Sequence, residues 1–173
     1  MADLGYKKLT IDNWKKPDTV ARGFVKISES GETHSITEDG WVSDILKPTL
    51  KEGVPLEVQK MFEVARGAII YGYFFYPLYT LAGEQLFRVV EAAVAIKCKS
   101  LGATGKVDTF QKEIEHLIEK NVIPPQEKEW WDAIRQLRNS SSHPGDQSIV
   151  TPPSVIGLLE QVADTINSLY ITS

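Results

Sequence analysis

Apolar residues recur at the spacing of one helix face through most of the chain after Pro55. Val58, Phe62, Ala65 and Ile69 follow one another at intervals of three or four, which is typical of an amphipathic helix. Comparable runs occupy residues 78–101, 108–121, 124–139 and 151–170. Five helical segments joined by short connections predict a mainly α protein, a bundle of about five helices.

The first 54 residues have a different pattern. Short alternations of apolar and polar residues at 20–28 and 33–42 are separated by the turn-like sequence ESGE, and this arrangement indicates a small β-hairpin. The pattern therefore predicts an N-terminal extension over residues 1–54, containing the hairpin, and a helical domain over residues 55–173.

The composition limits the classes of molecule that the protein is expected to bind. The chain has 173 residues, is 42% hydrophobic and has a formal net charge of −4, as an ordinary globular domain does. Between Glu84 and Gly145, nine Lys and Arg residues stand against nine Asp and Glu residues. Because no basic tail or stripe is present, broad electrostatic binding to nucleic acid is not expected, and any nucleic-acid contact has to be local.

An uncharged stretch at residues 67–83 raises the question of a membrane span. It is 17 residues long, contains four tyrosines and has Pro77 within it, with Arg66 and Glu84 at its ends. These features favour a buried helix or helical hairpin, so no membrane association is expected. Its tyrosines, Tyr71, Tyr73, Tyr76 and Tyr79, are expected in the core or on a dimer face. The start of the chain does not resemble a secretory signal, which favours a cytoplasmic location.

The end of the fourth helical segment carries the most informative polar residues, in the sequence RQLRNSSSHPGD at 135–146. The residue before a proline is disfavoured in helical conformation, so the helix is expected to end at about Ser142. This frees His143 to turn relative to Arg138. Arginine offers a cationic fork suited to phosphate, and histidine can transfer a proton near neutral pH. The alternative is structural: both residues can simply satisfy a helix C-terminus.

Other constellations have weaker chemical meaning. Glu84, Arg88 and Glu91 are spaced as an ion-pair ladder along one helix, or as a polar cluster that supports Arg138. Glu113-x-x-His116 is half of a di-iron motif, but the second half is missing, so no metal or other cofactor is predicted. Cys98, the single cysteine, cannot form an intrachain disulfide and is expected to be a buried thiol.

Three stretches together resemble the HEPN superfamily (higher eukaryotes and prokaryotes nucleotide-binding domain), and are closest to a branch labelled as a domain of unknown function. They are LFRVVEAAVAIKCKSLG, FQKEIEHLIEKNVI and WWDAIRQLRNSSSHP. The family signature is an arginine followed by a polar residue and, after four to six residues in all, a histidine. Arg138, Asn139 and His143 match it, while Arg88 and Glu91 match an upstream helix. The resemblance covers about residues 55–170.

The resemblance implies a homodimer in which two copies of the motif share a cleft. Many HEPN proteins are metal-independent endoribonucleases of toxin–antitoxin and phage-defence systems, whereas others bind nucleotides or partner proteins without catalysis. By this resemblance His143 would act as general base or acid, Arg138 would stabilise the phosphoryl charge and Asn139 would orient the phosphate. RNA or a nucleotide and an antitoxin protein are the implied partners. The motif favours the nuclease, and the neutral local charge favours the non-catalytic binding module.

Overall fold

Six α-helices form most of the part of the chain that the structure describes. The computed structural model describes residues 6–21, 25–27, 30–35, 37–105, 107–141 and 150–170. The helices of these residues are α1 Glu38–Leu46, α2 Leu56–Gly72, α3 Leu78–Ser100, α4 Phe110–Glu119, α5 Lys128–Ser141 and α6 Pro152–Leu169. The prediction of a mainly α bundle is confirmed, and α2 to α6 correspond to the five predicted segments.

The N-terminal region contains a short antiparallel strand pair, β1 Val25–Ile27 with β2 Thr33–Ser35. Val25 lies opposite Ser35 and Ile27 lies opposite Thr33. The predicted hairpin pairing is therefore present, over three residues of each strand in the part that the structure describes.

The second half of the predicted strand 33–42 is helical instead, as part of α1. The Thr37 side chain accepts a hydrogen bond from the Gly40 N–H at 3.1 Å, and Glu38 and Asp39 occupy the first turn, where acidic residues favour a helix. Trp41 and Ile45, four residues apart, are buried on the same face. The strand prediction failed here because the capping residues and the four-residue spacing outweigh the local alternation.

The uncharged segment 67–83 forms the end of α2, a turn and the beginning of α3, as the helical-hairpin interpretation predicted. Tyr76 and Tyr79 are buried in this hairpin, whereas Tyr71 is 63% exposed. Within the described ranges, none of the helices combines the length and the apolar character that crossing a membrane requires.

The central element of the bundle is α3, which packs against α2, α4, α5 and α6. Its apolar side chains are covered on several sides, and those without measurable exposure are Tyr79, Ala82, Leu86, Val89, Val90, Ala93 and Val94. The core also includes Trp41 of α1, whose ring meets the Tyr79 ring edge-on at 5.8 Å. Thus α1 shares one core with the helices that follow it.

The close approach of α2 and α3 at their turn generates a testable prediction. A Cβ atom on Gly72 would stand 2.6 Å from Cδ1 and 2.7 Å from Cζ of the fully buried Tyr79 ring. We expect Gly72→Ala to lower the free energy of unfolding by about 1–3 kcal/mol through overpacking, measured by thermal denaturation.

Gly67→Ala is the matched control, because it lies in the same helix and a Cβ there meets nothing within 4 Å. It should be neutral or stabilise by up to about 1 kcal/mol through helix propensity. Equal melting temperatures for the two variants would contradict the packing described for Gly72 and Tyr79.

Candidate functional site

Arg138, near the end of α5, forms an ion pair with Glu91 in the middle of α3. Nε of Arg138 donates to Oε2 of Glu91 at 3.2 Å, and Nη2 donates to Oε1 at 2.9 Å and to Oε2 at 3.0 Å. The two side chains are 37% and 31% exposed, respectively. This two-point contact fixes the plane of the guanidinium group while part of the group remains accessible from solvent.

The pair forms because both residues lie at the edge of buried helix faces. Trp131, Ile134 and Arg138 are spaced i, i+3 and i+7 on α5, and the first two are buried. Glu91 and Val94 have a similar relation on α3, where Val94 is fully buried. Packing of the apolar residues therefore brings the two charged residues to the border of the same helix–helix contact.

The helical spacing of Trp130, Ile134 and Leu137 predicts these three residues as the apolar face of α5. Ile134 is buried, but Trp131 is the enclosed tryptophan and Trp130 is half-buried. Leu137 is 53% exposed, since it lies about one hundred degrees around the helix from Arg138. Arg138, and not Leu137, continues the stripe that faces α3.

Asn139 lies beside Arg138 on the solvent side. Its Oδ1 accepts a hydrogen bond from Nη1 of Arg138 at 3.2 Å, and the residue is exposed. Arg138 and Asn139, two residues of the predicted motif, are thus in direct contact. The carboxamide adds a polar group next to the guanidinium edge that Glu91 does not engage.

His143, the third residue of the motif, lies outside the described residues, so its relation to Arg138 stays a prediction. The described part of α5 ends at Ser141. The chain is described again from Val150, whose N–H donates to Oγ1 of Thr80 at 3.3 Å. The connection between α5 and α6 therefore ends beside the first turn of α3.

The three residues of the predicted polar cluster on α3 are in different environments. Glu91 reaches Arg138, Glu84 is half-buried and Arg88 is exposed. In the part of the chain that the structure describes, Arg88 forms no ion pair with Glu84 or Glu91. The ion-pair ladder is therefore absent, and of the three only Glu91 contacts Arg138.

A second carboxylate, Glu113 of α4, also belongs to this region. Burial raises its pKa, the negative charge of Glu91 raises it further, and Lys99 acts in the opposite direction. Glu113 lies three residues after the buried Phe110 and four before the buried Leu117. This position between two buried apolar residues is the sequence signal for a partly buried acid, and the di-iron spacing of Glu113 and His116 does not contain it.

Cys98 lies next to Glu113 and is buried. Its Sγ donates to the backbone oxygen of Glu113 at 3.3 Å, and burial, with a smaller effect of Glu113, raises the pKa of the thiol to about 11. The thiol is therefore protonated at neutral pH and is not an activated nucleophile. This agrees with the expectation of a buried structural thiol.

Potential metal ligands do not converge in the region. Among the residues that the structure describes, no group of three or more His, Cys, Asp or Glu side chains is arranged to hold a metal ion. Glu113 and His116 lie on α4 with the spacing of half a di-iron motif. The chemical groups that the described site offers are one oriented guanidinium, one carboxamide and two carboxylates.

Comparison with known families places the chain in one of them. Residues 70–173 match the model of a family described as a domain of unknown function, DUF4145. The match covers more than half of the chain and contains α3 to α6 with both Glu91 and Arg138, so the protein belongs to this family. Neither the curated proteins nor the solved structures that were compared with the chain gave a match.

The environment of Glu113 leads to a prediction about stability and pH. A carboxyl group with a raised pKa in the folded state destabilises the fold when it is ionised and has no such effect when it is protonated in both states. We therefore expect Glu113→Gln to raise the melting temperature at pH 7, and this gain to disappear as the pH falls below the ordinary value of 4.5.

Glu119→Gln, at an exposed position of the same helix, changes the net charge equally and serves as the control. It should shift the melting temperature little at either pH. A gain at pH 7 that is the same in both variants would show that net charge, and not the surroundings of Glu113, is responsible.

Proposed function

We propose that the protein is a metal-independent endoribonuclease whose active site is the end of α5, with Arg138, Asn139 and His143. The observation that supports this most is the two-point ion pair of Arg138 with Glu91. A guanidinium group that is already oriented, and still about one-third exposed, is suited to stabilise a phosphoryl group without reorganisation. Glu91 acts as a positioning residue for Arg138.

The reaction that these residues can perform is an internal transesterification. The ribose 2′-oxygen attacks phosphorus, its proton passes to His143, and the bond from phosphorus to the 5′-oxygen breaks. The leaving 5′-oxygen takes a proton from a general acid. The products are a 2′,3′-cyclic phosphate and a 5′-hydroxyl, so the atoms of the first step balance without a water molecule.

A homodimer would supply both proton-transfer groups. If two copies of the motif face one cleft, as the HEPN resemblance implies, one His143 can act as base and the other as acid. Within such a dimer Arg138 stabilises the negative charge that develops on the phosphoryl oxygens, and Asn139 orients them. A toxin–antitoxin or phage-defence role, with an antitoxin as partner protein, belongs to the same proposal.

The second candidate is a non-catalytic module that binds a nucleotide or a partner protein. One observation favours it. Glu91 pairs directly with the guanidinium group and Glu113 interacts electrostatically with Glu91, and these negative charges oppose both phosphate binding and the stabilisation of a phosphoryl transition state. In this case Arg138 and His143 bind a ligand or partner, and the wild-type protein does not cleave RNA.

Cleavage of a labelled RNA with purified variants distinguishes the two candidates. We expect Arg138→Ala to reduce the rate by about 10²–10³, as the loss of one preorganised donor does, and His143→Ala to abolish cleavage. Arg138→Lys should recover little, because an ammonium group cannot replace the planar fork. Cleavage should persist in EDTA, and the products should carry a cyclic phosphate.

The matched control is Arg135→Ala, an arginine of the same helix that pairs with Asp132 at 3.6 Å and not with Glu91. It should cut at nearly the wild-type rate. Circular dichroism establishes that each variant remains folded. RNA cleavage at the wild-type rate by both Arg138→Ala and His143→Ala would exclude the proposed site. If the wild-type protein does not cleave RNA and both substitutions abolish the binding of a nucleotide or partner protein, the second candidate is favoured.

The homodimer is tested separately by sedimentation. Tyr71 and the neighbouring Phe74, whose rings lie 6.5 Å apart, provide an aromatic surface at the end of α2. We expect the wild type to sediment as a dimer at tens of micromolar and Tyr71→Asp to shift it toward the monomer. A wild type that is monomeric throughout this range would contradict the dimer.

A further inference from the structure

The N-terminal segment at residues 7–16, with the sequence KKLTIDNWKK, is the most unusual surface of the described chain. It holds four of the 19 Lys and Arg residues of the protein but only one of its 23 Asp and Glu residues. Ile11 is 92% exposed and Trp14 is 56% exposed. We call this segment the N-terminal loop. A positively charged loop that exposes a tryptophan is unexpected in an acidic protein, which suggests a binding partner.

Internal hydrogen bonds give the N-terminal loop a defined shape. Oδ1 of Asn13 accepts from the Thr10 N–H at 2.8 Å, and Nδ2 of Asn13 donates to the Lys8 carbonyl at 2.9 Å. Nζ of Lys7 donates to the carbonyls of Asn13 and Lys16. Lys7 is therefore part of the framework of the loop, and the other three lysines are the exposed cations.

The N-terminal loop is attached to the turn between α2 and α3. On one side of it, the Tyr6 ring meets the Phe75 ring edge-on at 5.9 Å. On the other side, the fully buried Asp18 accepts from the Tyr76 N–H at 3.2 Å, and its own N–H donates to the Tyr73 carbonyl at 2.9 Å. The loop is thus held at one end of the bundle by contacts at both of its ends.

The chemistry of the exposed side chains fits single-stranded nucleic acid. Nζ of Lys15 lies 4.8 Å from the centre of the Trp14 ring, so an aromatic face and a cation are already adjacent. Proteins bind single strands by stacking bases on aromatic side chains and by pairing phosphates with nearby cations. We propose that the N-terminal loop binds single-stranded nucleic acid, with a base stacked on Trp14 and phosphates on Lys8, Lys15 and Lys16.

The position of the N-terminal loop favours a nucleic acid over an anionic bilayer. Val150, where the described chain resumes after α5, bonds to Thr80 in the first turn of α3, and the loop is anchored on the turn immediately before that helix. Both therefore lie at the same end of the bundle. A strand bound to the loop can continue toward Val150, seven residues after His143 in the sequence, whereas a bilayer at this end of the bundle would obstruct that path; this step rests on the proposed nuclease function, and binding by the loop does not.

Binding of a fluorescein-labelled oligo(dT), measured by anisotropy, tests the loop without RNA cleavage, because DNA lacks the 2′-hydroxyl that the proposed reaction needs. We expect Trp14→Ala to weaken binding about fivefold or more and Trp14→Phe to keep most of it, as loss of one stacked base predicts. Replacing Lys8, Lys15 and Lys16 with Gln should reduce the slope of log affinity against log salt concentration by about 2.

The control replaces three exposed lysines outside the loop, Lys51, Lys60 and Lys120, with Gln, which changes the net charge equally. If these substitutions weaken binding as much as those in the loop, or if Trp14→Ala has no effect, the proposal is wrong. The proposal is also wrong if the protein does not bind oligo(dT) but binds phosphatidylglycerol vesicles through Ile11 and Trp14.

The outcome for the loop is separable from that of the nuclease site. Binding of oligo(dT) and cleavage of RNA are measured on the same preparations of each variant. If this binding depends on Trp14 while no RNA is cleaved, the N-terminal loop is supported and the nuclease is not. If RNA is cleaved but Trp14 and the three lysines contribute nothing to binding, the nuclease is supported and the loop is not.

Discussion

Burial of α3 on several sides is the constraint on which the rest of the structure depends. A helix whose apolar side chains extend around much of its circumference must be covered by other elements. Four helices, α2, α4, α5 and α6, provide this cover, and α1 adds Trp41 against Tyr79. The short side chains of Ala82 and Ala93 allow these neighbours to approach closely, and both are fully buried.

The candidate site is a consequence of that packing. Glu91 lies where the buried face of α3 meets solvent, and Arg138 has the equivalent position on α5. Moving either residue by one position along its helix would break the ion pair, because a shift of one residue turns the side chain about a hundred degrees around the helix axis. A half-exposed pair of this kind contributes little to stability, about 0.2–1 kcal/mol. Its main effect is to orient the guanidinium group.

The charges in the region of Arg138 act in opposite directions, since the guanidinium attracts one carboxylate and the carboxylates repel each other. Glu91 holds the guanidinium, and Glu113 of α4 lies close enough to Glu91 for the two negative charges to repel each other. Partial burial makes this arrangement unfavourable for Glu113, whose pKa is raised. The exposed lysines of residues 7–16 and the pair of Arg138 with Glu91 are thus two different electrostatic environments on one small bundle, one with several cations at the surface and the other with a cation held by a carboxylate.

The sequence by itself determined the helical segments, because the apolar spacing of α2 to α6 is regular and prolines or glycines separate them. It also identified Arg138 and Asn139 as neighbouring polar residues near the end of the fourth segment, whereas the hydrogen bond between their side chains is seen only in the structure. Tertiary structure decided what depends on residues far apart in sequence. Residues 38–46 form a helix because Thr37 caps it and because the side chains of Trp41 and Ile45 are buried in the core of the bundle. Glu91, and not Glu84 or Arg88, reaches Arg138, and Glu113 lies near this pair, because the rotation of each helix is set by its whole buried face. Local periodicity identifies that face but does not specify which polar residue at its border meets a polar residue of another helix.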